Sequence, residues 1–136
     1  MLTGSCLCGA VKYQISGGVG EMGHCHCKMC QKAHGAAFGT YAKVMWEDFT
    51  FVSSQADVQQ YNSSQGITRT FCRKCGSVLQ FVREGKPHFG LAVATLDVDP
   101  GVRPTYQIWT SSKAPWWELQ DGLLSHESQP GRSAEA

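Results

Sequence analysis

The sequence is short of charge, of long apolar runs and of helical periodicity. Its formal net charge is +1, and 17% of its 136 residues are charged. Nucleic-acid binding normally needs a strong basic surplus, so that class is set aside. The longest apolar run near the middle, Leu91-Ala92-Val93-Ala94, falls far below the roughly 18–20 residues that cross a bilayer. The opening residues, Met1 to Cys6, show neither a basic nor an apolar leader segment, and the expectation is a cytoplasmic protein. No amphipathic stretch of about 10–15 residues separates the apolar segments, which argues against an α/β doubly wound fold. The carboxylates form no recognisable pair. Glu21, Glu47, Asp48 and Glu118 read as surface groups, so no general acid or base stands out.

What is present is β-pattern. Val11, Tyr13 and Ile15 alternate with polar residues until Gly17-Gly18. Phe49 to Val52, Val58 to Tyr61 and Ile67 to Phe71 are short β-type runs, with a turn over residues 62–66. Val78 to Val82 and His88 to Thr95 read as a hairpin through Glu84-Gly85-Lys86-Pro87, and Thr105 to Thr110 as a last strand. One short helix is expected from about Lys28 to His34, stopped by Gly35. The fold class is therefore all-β: two small packed antiparallel sheets with one short helix after the middle cysteine cluster. Residues 1–124 form one domain on this reading. Residues 125–136 lack aromatic and β-branched residues and read as a disordered tail.

Seven cysteines are many for a reducing compartment, and an odd number suits a closed disulfide framework poorly. They fall in three groups: Cys6-Leu7-Cys8-Gly9, Cys25-His26-Cys27-Lys28-Met29-Cys30 and Cys72-Arg73-Lys74-Cys75-Gly76. The last is a recurrent half of tetrahedral zinc sites, and Cys6 with Cys8 supplies the matching half. Cys25, Cys27 and Cys30 remain. Three ligands and an open position is the pattern of catalytic zinc, whereas His24, His26 or His34 as a fourth ligand would close a second structural site. Spacing alone leaves both open. Lys28, Lys32, Arg73 and Lys74 stand beside these thiols in sequence and are candidates to offset thiolate charge. A thioredoxin-type dithiol at Cys27 and Cys30 would need a βαβ context that the sequence lacks.

Four blocks in this order resemble the glutathione-dependent formaldehyde-activating enzyme family, which also contains centromere protein V. They are Gly4 to Val11, Cys25 to Cys30, Phe71 to Ser77, and Arg103 to Trp117, and the resemblance spans about residues 4 to 122. It implies an all-β fold stapled by zinc. Cys6, Cys8, Cys72 and Cys75 would hold a structural zinc, and Cys25, Cys27 and Cys30 a second zinc at the active site. The implied activity is that of a carbon–sulfur lyase, adding glutathione or a similar small thiol to formaldehyde or another small aldehyde. The competing function is a non-catalytic, zinc-stabilised interaction domain.

Other residues carry weaker expectations. Trp109, Trp116 and Trp117 read as rings capping the β core, and Lys113 as a solvated lysine. His26, between two candidate ligands, points away from the metal if its backbone is extended. Phe38, Gly39 and Tyr41 are candidates to line a cleft.

Overall fold

The computed structural model describes residues 1–119 and 122–129. The architecture is all-β with one α-helix among the described residues, and the strands form two sheets. The smaller has the order β1 (Leu2–Ser5), β2 (Lys12–Ile15), β5 (Phe49–Phe51) and is antiparallel. The larger also contains β3 (Met22–Cys25), β4 (Gly39–Met45), β6 (Val58–Ser64), β7 (Ile67–Cys72), β8 (Val78–Arg83), β9 (His88–Ala92), β10 (Tyr106–Ile108) and β11 (Leu124–Ser125). Its eight strands run β11-β10-β3-β4-β9-β8-β7-β6. It is not small, and it is not wholly antiparallel: β10 pairs parallel with both β3 and β11.

Alternation along the strands explains the layers. Tyr13 and Ile15 of β2 meet Val44 of β4 and Phe89 and Leu91 of β9 in the main apolar core, with Leu2, Phe49 and Phe51 packed against it. Because successive side chains of a strand point to opposite faces, Tyr41 and Lys43 of β4 are turned away from that core. They line a cleft on the other side of the large sheet.

The helix α1 (Lys28–His34) has the predicted bounds and ends at Gly35 in the left-handed conformation, φ 59°. Its N-cap is Cys27, whose sulfur accepts from the Cys30 backbone N–H at 3.3 Å. Two sequence expectations give way. The turn assigned to residues 62–66 is shorter, since β6 continues to Ser64. The tail expected from residue 125 begins as part of the fold. Leu124 and Ser125 pair with β10, and the carbonyls of His126 and Glu127 accept from the Thr110 and Ser111 N–H groups. Backbone hydrogen bonding along an available strand edge holds a segment that composition alone marks as unable to order. Residues 130–136 lie outside the described residues.

Candidate metal centres

The fold brings Cys6, Cys8, Cys72 and Cys75 together, with all four sulfurs within 4.8 Å of one another. Cys6 follows β1, and Cys72 ends β7. Each pair sits on a tight knuckle. Gly9 N–H donates to the Cys6 carbonyl at 3.1 Å and Gly76 N–H to the Cys72 carbonyl at 2.7 Å. Gly9 and Gly76 close these turns at φ 81° and 79°, a region that any side chain would strain. Ser77 ties the knuckles together: its Oγ accepts from Leu7 N–H at 2.9 Å and lies 3.3 Å from Cys75 Sγ. That hydroxyl is the first cause pulling the Cys75 thiol down to about 5.

The donor set fits zinc. A tetrahedral ion with Zn–S bonds of about 2.3 Å separates its sulfurs by about 3.8 Å. Cys6 Sγ and Cys8 Sγ are 3.6 Å apart, and Cys8 Sγ and Cys72 Sγ 3.8 Å. The neighbouring cations are engaged elsewhere. Arg73 Nε lies 2.9 Å and Lys74 Nζ 3.7 Å from the Asp57 carboxylate, so their charge is met by oxygen.

Cys25, Cys27 and Cys30 form the second group, all three buried, their sulfurs also within 4.8 Å of one another. Among the described residues no histidine or carboxylate joins them. The three candidate fourth ligands turn elsewhere. His24 Nδ1 lies 2.8 Å from Thr40 Oγ1, and His34 Nε2 lies 2.7 Å from Tyr41 Oη. His26 is fully buried, its Nε2 3.1 Å from Gln107 Oε1. Gln107 in turn donates to Ser125 Oγ at 2.8 Å, so the chain beyond residue 124 reaches the layer behind the thiols. Gln31 pins the same region by donating to the carbonyls of His26 and Ser112.

The cation at this group is Arg69, which sequence reasoning missed. It lies on β7 and is 6% exposed. Both terminal nitrogens of its guanidinium are 3.8 Å from Cys30 Sγ, and Nη1 donates to Tyr41 Oη at 3.2 Å. Of the three thiols Cys27 is the one pulled down, to about 2, first by hydrogen bonding from Cys25, then from Cys30, with the Cys30 N–H and Arg69 adding. Cys25 is pushed well up by giving its proton to that shared hydrogen bonding with Cys27 and Cys30. Burial, with the nearby thiols adding, raises the Tyr41 hydroxyl above its usual range.

Trp109 packs against the three cysteines and is buried. It takes φ 58°, the left-handed region, where a bulky residue costs about 1–3 kcal/mol. The tryptophan block therefore does not act as one cap. Trp109 backs the thiols, Trp117 meets Phe38 edge-on, and Trp116 is exposed. Lys113 is not a free surface lysine either: its Nζ donates to the Trp117 carbonyl at 2.9 Å.

Cys25 and Cys30 lie in the wall of a cleft of about 220 Å³, shared with Tyr41, Phe81, Arg83 and Tyr106. Of the residues expected to line a cleft, Tyr41 does so, while Phe38 packs on His24 and His26.

Over residues 1–112, which include every cysteine and Arg69, the sequence matches the family of glutathione-dependent formaldehyde-activating enzymes. The chain belongs to that family. The family is enzymatic and is named for formaldehyde activation with glutathione. A crystal structure of a Rhodobacter sphaeroides protein, a Northeast Structural Genomics target, is similar at 27% identity and TM-score 0.60, covering 73% of this chain and 92% of that one. No curated protein matches the sequence. No helix among the described residues is long and apolar enough to cross a membrane.

Proposed function

We propose that the protein is a zinc-dependent enzyme of the carbon–sulfur lyase type, joining a small thiol, glutathione or a similar compound, to formaldehyde or another small carbonyl compound. One observation carries this reading. Three cysteine sulfurs meet beside a cleft whose wall includes Cys25 and Cys30, and no fourth ligand among the described residues closes the group. Cys25, Cys27 and Cys30 would hold the catalytic ion, and Cys6, Cys8, Cys72 and Cys75 a structural one. Bound at the three cysteines, zinc supplies an electrophilic position that takes a thiolate or polarises a carbonyl oxygen.

The chain's own residues do the rest. The cleft holds both reactants side by side and so removes most of the entropic cost of their meeting. Arg69 fixes a positive charge beside the sulfurs, which favours thiolate over thiol at neutral pH. A sulfur–carbon bond forms as the carbonyl π bond opens, and the oxygen takes the proton that the thiol gave up. Thiol and aldehyde become one hydroxymethyl thioether, with nothing oxidised or reduced. Seven unpaired thiols suit the reducing cytoplasm as the site of action.

Exchange spectroscopy on carbon-13 formaldehyde and glutathione tests the proposal. The zinc-loaded protein is expected to accelerate formation of the hydroxymethyl adduct. A Cys27→Ser, Cys30→Ser variant, keeping one zinc per chain, should return to the uncatalysed rate. Equal rates with and without the wild-type protein would leave a non-catalytic, zinc-stabilised interaction domain.

A further inference from the structure

We propose that Arg69 is the positioning residue of the three-cysteine centre, setting its charge so that the open position prefers an anionic, thiolate-type ligand over a neutral one. This rests on the zinc reading above and adds to it the residue that decides ligand charge. The guanidinium is held on all sides. Nε donates to Ser63 Oγ at 3.2 Å, Nη1 donates to Tyr41 Oη, both terminal nitrogens face Cys30 Sγ, and the Phe81 ring centre lies 5.0 Å away. Among the described residues no carboxylate pairs with it, whereas Arg73, Lys74 and Arg103 each face one. Among the described residues, the ionisable groups it donates to are Cys30 Sγ and Tyr41 Oη.

A buried guanidinium without an anionic partner costs several kcal/mol, so it demands a negative counterpart. A zinc ion with three thiolates carries one negative charge and matches Arg69 one for one. The centre as a whole is then neutral, and a fourth, anionic ligand adds to it without meeting uncompensated charge. The four-cysteine centre is built the other way. Zinc with four thiolates carries two negative charges, and the cations next to it in sequence, on exposed side chains, pair with Asp57. One centre is balanced to admit an anion, and the other is already full.

The test uses the full-length protein with cobalt in both centres, whose visible spectrum reports on ligands added to the metal. Azide serves as the anionic probe and imidazole as the neutral one, titrated into wild type, Arg69→Gln and Arg69→Lys. Metal retained at the four-cysteine centre, together with an unchanged far-ultraviolet spectrum, certifies folding of each variant. Arg69→Gln is expected to weaken azide by roughly ten- to hundredfold while moving imidazole by less than about threefold. Arg69→Lys, keeping the charge, should restore most of the azide affinity. Equal weakening of both probes in Arg69→Gln, or loss of azide preference in Arg69→Lys, overturns the inference. Should Arg69→Gln not fold, Arg69→Lys against wild type decides alone. A wild-type centre that binds neither probe also overturns it. The hydroxymethyl exchange assay on the same wild-type sample separates the two claims: probe selectivity that depends on Arg69, without catalysis, leaves this inference standing and removes the proposed reaction.

Discussion

Replacing Cys72 by serine should unfold one side of the molecule. Cys72 is fully buried beside Cys6, Val11 and Leu79, which form the small apolar cluster at the four-cysteine centre. Burying the valine and leucine is worth roughly 1.5–3 kcal/mol each. Ordering the backbone of the two knuckles, residues 6–9 and 72–76, costs about 1–2 kcal/mol per residue. The apolar contacts alone fall short of that cost. A structural zinc, worth about 10–16 kcal/mol in small zinc domains, offsets the difference. Removing one of four thiolates should therefore cost at least about 4 kcal/mol. At this chain length the melting temperature would fall by roughly 15 °C or more. Thermal unfolding followed by circular dichroism, with zinc per chain measured on the same samples, checks it. Cys27→Ser, which loses the other ion, is the comparison and is expected to melt above Cys72→Ser. A Cys72→Ser protein melting within about 5 °C of wild type would refute the assignment of structural and reactive roles to the two centres.

Other consequences are simpler to read out. Gly4 lies opposite Tyr13, and a Cβ there would fall 2.1 Å from the ring carbon Cζ of that buried side chain. Gly4→Ala should lower stability by about 2–4 kcal/mol, measured by urea unfolding. His34 is held below its usual value by burial first and by Arg69 second. Below about pH 6.5 the unfolded chain therefore binds a proton that the folded chain refuses, so stability is full above that pH and falls as the pH drops through it. The pH dependence of the melting temperature between about pH 5 and 7 should be shallower in His34→Gln. Gln107→Ala removes the fully buried link between His26 and Ser125, and should cost about 2–3 kcal/mol in the same urea assay.

Much of the site was legible because metal-ligand spacing is local information. The short intervals within each cysteine cluster, the glycine after each knuckle and the bounds of α1 follow from neighbouring residues. Arg69 was not legible. It sits in the run Ile67-Thr68-Arg69-Thr70-Phe71 on the same strand face as Ile67 and Phe71, and only the pairing of β7 with β8 places it against Phe81. The one available signal was a cation in an apolar register. β4 was missed as a strand because Gly39 to Met45 mixes glycine, alanine and lysine without a clean alternation, yet it lies between β3 and β9 and carries Tyr41. β11 was missed for a related reason: it is held through backbone groups, which composition does not reveal.

Gln129 is part of the cleft wall, and the family-matched residues stop at 112. A molecule in the cleft would meet a stretch of chain that lies outside every cysteine motif and outside the family-matched residues. On the proposed reading, the sulfur chemistry and access to it are written in different parts of the sequence. Substitutions at Gln129 would then retune admission to the cleft while leaving every cysteine in place, which makes that position a place to look for divergence in substrate among otherwise similar chains.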